Sequence, residues 1–184
     1  LSVLRGVRFV LMARFNSSIL LHWTVAILFI GVFAMGIYVA DFAEPPAKFT
    51  YMGWHKSMGL VVLVFAIARL IWRIKEGALP ATSDMPKWQT VIAHLTHGLL
   101  LLATLAMPLS GFIMSYAGGR AISFFEFELL SAPEKTPWLA DAGSFVHHSS
   151  VLIIVVILAL HVAAALKHQF VDKDGMLSRM LGKS

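Results

Sequence analysis

Long apolar runs separated by short polar links set the pattern of this chain. The first, "ILLHWTVAILFIGVFAMGIYVA", covers Ile19–Ala40; the second, "GLVVLVFAIARLIW", covers Gly59–Trp72 behind "YMGWHKSM". The third, "VIAHLTHGLLLLATLAMPLSGFIM", covers Val91–Met114, and the fourth is the centre of "HHSSVLIIVVILALHVAAALKH", His147–His168. With their flanks they predict spans at approximately 19–40, 55–74, 91–114 and 147–168, each near the ~20 residues that a helix needs to cross a bilayer. Arg69 interrupts the second run. The links "DFAEPPAKF", "EGALPATSDMPKW" and "AGGRAISFFEFELLSAPEKTPWLADAG" carry proline and charge, as connections between helices do. No repeat and no soluble domain interrupts the series. The predicted fold is all-α: an integral membrane four-helix bundle forming a single domain over residues 1–184.

Composition agrees. Of 184 residues, 58% are hydrophobic and 14% charged, against about half and about a quarter in soluble domains. The formal net charge of +5 does not point to nucleic acid, because the bases are scattered around apolar runs and follow membrane topology. Arg5, Arg8, Arg14, Arg69, Arg73, Lys75, Lys87, Lys167, Lys173, Arg179 and Lys183 fall on one side; Lys48, Lys56, Arg120 and Lys135 fall on the other. The richer side is the cytoplasm, so both termini are expected there. The opening "LSVLRGVRFVLMARF" reads as a short basic interfacial helix ahead of an uncleaved first span. "ISFFEFELL" reads as a short amphipathic segment lying over the bundle, placed to roof whatever the outer half contains.

Eight histidines and no cysteine define the candidate chemistry. Disulfides, iron–sulfur clusters and thiolate metal sites within this chain are excluded. On a helix each residue turns ~100° and rises ~1.5 Å. His161 therefore lies on the same stripe as His147, fourteen residues on, and His168 continues it; His148 points away. His22, at the cytoplasmic start of the first span, is level with His161, and His55, at the outer start of the second, is level with His147. A lone membrane histidine is commonly an interhelical hydrogen-bond donor, and zinc would want three or four ligands at one depth. Histidines paired at two depths instead predict two hexacoordinate haems stacked across the membrane.

Further residues fall on the same stripes. Arg69, fourteen after His55, is expected level with the cytoplasmic haem, either pairing with a propionate or snorkelling to headgroups. Gly36 and Gly111, fourteen after His22 and His97, are placed for a porphyrin edge to approach the backbone. Lys56 and Arg120 lie on the outer side, where they would anchor propionates or attract an anion. His94, His97 and His168 are left over near the cytoplasmic end.

The motifs "LHW", "HKSMG", "AHLTHGLLLL" and above all "LHVAAALKHQFVDKDGMLSRML" make the chain resemble the bacterial cytochrome b561 family across nearly its whole length. That resemblance implies a dihaem protein of the bacterial inner membrane, with b-type haem held by His22 with His161 and by His55 with His147. It further implies ubiquinone at the cytoplasmic side beside His97 and His168, and, for some members, electrons taken from superoxide outside. The expected activity is transmembrane electron transfer to ubiquinone, that of a quinone-reducing oxidoreductase. The alternative is a haem b anchor that relays electrons for a larger dehydrogenase or hydrogenase. Expected partners are membrane lipid, ubiquinone and a periplasmic electron donor, with no nucleic acid; the sequence does not specify an oligomer.

Overall fold

A computed structural model describes residues 2–77 and 86–182, with side chains from residue 16 onward. Four long helices account for most of it: α1 (Ser2–Asp41), α2 (Ala47–Glu76), α3 (Lys87–Ala117) and α4 (Pro137–Lys167). Each contains a segment apolar enough to span a bilayer, with mean hydropathy of 2.2, 1.9, 1.8 and 2.7 in chain order. All four run beyond the expected spans. The apolar pattern marks what sits in hydrocarbon, whereas the helix continues until the backbone is told to stop.

Those stops are local. No proline precedes Pro45, so α1 is unbroken from Ser2, and the short separate helix expected at the N-terminus is instead its first turns. Pro45 and Pro46 end the passage out of α1, where Phe42 and Ala43 donate their N–H groups to the Tyr38 carbonyl. Arg73 and Lys75 fill the last turn of α2, where cations suit the helix dipole, and Gly77 closes it at φ 75°. The link expected between the second and third spans lies largely at 78–85, outside the described residues. Lys183 also lies outside them, as do the side chains of Arg5, Arg8 and Arg14. Pro137 opens α4 at a position where its missing N–H costs nothing. At the other end α4 widens into a π turn, His168–Asp172, before the short helix α5, Met176–Met180.

"ISFFEFELL" folds as a β-hairpin rather than a continuous amphipathic segment. Strand β1 (Ile122–Phe124) pairs antiparallel with β2 (Phe127–Leu130), with Ser123 opposite Glu128 and Phe124 opposite Phe127. Aromatic residues alternating with polar ones favour a strand, and Phe125 turns the chain at φ 53°. The Phe125 N–H bonds the Ser57 hydroxyl at 2.7 Å, and Ile122 is buried. The hairpin is thereby tied to α2 and covers one end of the bundle, the end opposite both chain termini.

Backbone packing is closest between α3 and α4 and between α1 and α2, with α2 against α3 joining the pairs. The core is a thin axial stripe: Phe29, Val62, Met107 and Ile154, one from each helix, are buried together. Large side chains such as Leu20, Ile27, Val64, Leu102 and Leu152 face outward. That inversion is the arrangement hydrocarbon solvent demands, since helices satisfy their own backbone and need no polar coat.

At the termini end, Trp23 on α1 donates its indole N–H to the Met180 carbonyl at 2.7 Å, strapping α5 to the bundle. A buried-to-interfacial hydrogen bond is worth about 1 kcal/mol. Trp23→Phe is therefore expected to leave the spans intact. Amide exchange in residues 176–182 should quicken about fivefold, as read by hydrogen–deuterium mass spectrometry.

Candidate cofactor-binding site

Seven-residue steps organise the interior. On α1 they run His22, Phe29, Gly36; on α2, His55, Val62, Arg69; on α3, His97, Thr104, Gly111; on α4, His147, Ile154, His161. Seven residues are close to two turns, the repeat that keeps one face of a helix inward in a bundle. Three layers result, each step climbing ~10.5 Å. The middle layer is shut: Phe29 is 7%, Val62 2%, Thr104 6% and Ile154 2% exposed. It holds two polar layers apart.

The layer near the hairpin combines Gly36, His55, Gly111 and His147. The rings of His55 and His147 face each other with centres 6.2 Å apart and planes at 80°. His55 Nδ1 bonds the Val32 carbonyl at 3.1 Å, and His147 Nδ1 bonds the Met107 carbonyl at 2.9 Å. A carbonyl only accepts, so each Nδ1 carries its hydrogen and each Nε2 keeps a free lone pair. These are the conditions for ligation, because a metal-bound histidine is oriented by the bond its other nitrogen donates. Both rings line a cavity of about 400 Å³, within the size range of cofactor pockets. Lys56, Met107, Pro108 and Val151 complete much of its wall, and Ile122 and Ser123 of the hairpin close it on one side.

The layer near the termini combines His22, Arg69, His97 and His161. His22 and His161 are 6.4 Å apart between ring centres, with planes at 61°. Arg69 donates to His22 Nδ1 at 3.0 Å. His97 lies edge-on to His161 at 5.3 Å and keeps an exposed ring. Below this layer Trp72 donates to the Ser18 hydroxyl at 2.9 Å, and Ser18 donates to Glu76 at 2.5 Å. The α1–α2 pair is thus tied on both sides of His22.

A metal between two imidazoles, at about 2.0–2.1 Å from each ring nitrogen, sets the ring centres about 6 Å apart. The 6.2 and 6.4 Å pairs meet that condition; the 5.3 Å pair of His97 and His161 is too close. Among the described residues no carboxylate bonds any of the four rings, which suits a neutral bis-imidazole site for haem. His148, the other half of the doublet, is exposed and turned back on its own helix, with Nδ1 on the Ser144 carbonyl at 2.9 Å.

Other expected residues are distributed differently. Gly36 and Gly111 lie under imidazole rings: a Cβ at Gly36 would come within 2.8 Å of His55 Cε1, and one at Gly111 within 3.0 Å of His147 Cε1. Lys56 lines the cavity and donates to the Ser115 hydroxyl at 3.1 Å. Arg120 is exposed at the hairpin end. His168 Nδ1 bonds Asp174 at 2.7 Å and is 3.2 Å from Asp172. The two aspartates escaped the sequence reading because the turn that brings them back is a π turn followed by Lys173 at φ 54°. Only the spacing "HQFVDKD" hinted at it.

Histidine layers inside a four-helix membrane bundle define a b-type cytochrome, and comparison with known proteins agrees. The chain belongs to the prokaryotic cytochrome b561 family, whose model matches residues 16–183. It is 34% identical to cytochrome b561 homolog 2 of Escherichia coli over 174 residues, covering 89% of this chain and 88% of that protein. It is 31% identical to cytochrome b562 of Cereibacter sphaeroides over 171 residues (89% and 92%), and 27% identical to a probable superoxide oxidase, CybB, of Yersinia pestis over 167 residues (89% and 92%). It is accordingly a multi-pass bacterial membrane protein that carries electrons through b-type haem.

The different settings of His147 and His148 generate a direct test. His147→Ala is expected to lower the haem content of the purified protein and His148→Ala to leave it unchanged, as measured by pyridine haemochrome. The reverse result would make His148 the ligand.

Proposed function

We propose that the chain binds two b haems, one between His55 and His147 and one between His22 and His161, and passes electrons from the hairpin end to ubiquinone at the termini end. The observation that carries this reading is the two imidazole pairs, with ring centres 6.2 and 6.4 Å apart, in layers two heptads apart. Bound haem supplies one-electron carriage; the chain supplies ligands, insulation and proton chemistry. The charge bias supports a cytoplasmic termini end. The relative named as a probable superoxide oxidase supports superoxide as a donor outside. Two superoxide anions each give up one electron and become dioxygen; ubiquinone takes the two electrons and two protons and becomes ubiquinol.

Individual residues have definite tasks in this scheme. Lys56 and Arg120 put positive charge at the hairpin end, where an anionic donor arrives. Phe29, Val62, Thr104 and Ile154 fill the space between the layers and keep water out of it. Arg69 needs a new acceptor: a nitrogen accepting from a guanidinium leaves the ring hydrogen on the other nitrogen. For His22 to hold haem through Nε2, Arg69 would have to release Nδ1, and a haem propionate would be its new acceptor. His97 and His168 are the proton donors to ubiquinone. His97 lies beside His161, and His168 is held by its bond to Asp174 at the same end of the bundle.

Two experiments test the scheme. In liposomes containing only this protein, superoxide supplied at the hairpin end should reduce internal ubiquinone. Replacing both His97 and His168 with Leu should keep the haems reducible while slowing their reoxidation by ubiquinone at least tenfold. Unchanged reoxidation would remove the quinone site from this end, and haem reduction that needs a further subunit would favour a relay within a larger complex. For orientation, a cysteine introduced at Lys135 should react with an impermeant maleimide added outside intact cells, and one at Lys173 should react only after lysis. The opposite pattern would exchange the donor and quinone sides.

A further inference from the structure

We infer that Gly36 and Gly111 are positioning residues for the haem nearer the hairpin, each opening a neighbouring helix so that a ligand imidazole rests on its backbone and donates to the carbonyl one turn earlier. The inference rests on the two-haem reading above. The two arrangements are equivalent. On α1, Gly36 lies four residues after Val32, whose carbonyl receives His55 Nδ1 at 3.1 Å. On α3, Gly111 lies four residues after Met107, whose carbonyl receives His147 Nδ1 at 2.9 Å. Within a helix a carbonyl bonds the N–H four residues on, and the side chain at that position covers its second lone pair. Only glycine leaves the carbonyl open to a ring from another helix. A Cβ would stand 2.8 Å from His55 Cε1 and 3.3 Å from its Nδ1, and 3.0 and 3.1 Å from the same atoms of His147.

Generic tolerance of glycine in membrane helices does not account for this. A Cβ added at Gly31, Gly59 or Gly98 would meet nothing within 4 Å. The other polar layer has no such seat: Arg69 and His97 stand at the places that correspond to the two glycines, and they meet His22 and His161 with side chains. The glycines therefore act on one haem and leave the other as an internal control. By holding Nδ1–H on a carbonyl they fix the tautomer and the ring planes and make each imidazole a stronger donor to iron, which favours the ferric state.

The test uses the full-length haem protein and reads spectroscopy and potential, not turnover. Ferric low-spin EPR reports the planes of the axial imidazoles, and optical redox titration reports each midpoint potential; His147→Ala identifies which signals belong to the hairpin-end haem. Gly36→Ala and Gly111→Ala are expected to shift the low-field EPR feature of that haem and raise its potential, or to lose that haem alone. The other haem should be unmoved, and Gly31→Ala should change neither. Should Gly36→Ala yield no haem protein, Gly111→Ala decides by the same criteria. In a protein with two haems, unshifted signals in both variants, equal shifts of both signals, or loss of both haems from both variants would overturn the inference alone. A single haem in the unsubstituted protein would instead overturn the two-haem reading on which it rests.

Discussion

An imidazole placed in hydrocarbon needs a partner that fixes its ring, and the bundle is arranged around that requirement. Leaving a buried polar group unmatched costs several kcal/mol in a bilayer, where no water is at hand. Three interior histidines anchor Nδ1 across helices: His55 on α1 through Val32, His147 on α3 through Met107, and His22 on α2 through Arg69. Each such bond fixes the rotation of two helices at once. The axial stripe that results is narrow, and the outward surface remains apolar.

The two polar layers answer the requirement with different chemistry. Near the hairpin, both rings are held by backbone, which cannot titrate and moves little. Near the termini, the rings meet a guanidinium and another imidazole, side chains able to change partner. One polar layer is thereby rigid and the other adaptable. Between them the Phe29–Val62–Thr104–Ile154 layer contributes dry packing.

The ends are finished by segments outside the helices. The hairpin borders the cavity and is anchored by one bond from the Phe125 backbone to Ser57. The tail after α4 returns through the π turn, so that Asp174 reaches His168 and Met180 reaches Trp23. Both closures use backbone atoms or short polar side chains, which leave little trace in hydrophobic patterning.

Four spans, their all-helical class and the histidine stripes were legible in the sequence because each depends on periodicity along one helix. The fourteen-residue spacing of His147 and His161, and of His22 and Gly36, follows from helix geometry alone. Contacts between helices were not legible, since they depend on how far one backbone rotates and approaches another. Arg69 could be placed at the right depth from its number, but its bond to His22 required the packing of α1 on α2. Gly36 and Gly111 were marked as open places, whereas what occupies them was decided by the inward reach of His55 and His147. The hairpin and the return of Asp174 likewise rest on left-handed backbone at Phe125 and Lys173, residues whose types do not announce it. The sequence by itself determined which residues lie at which depth; only the tertiary structure decided which of them touch, because contact is set by helix rotation and backbone approach that no single helix encodes.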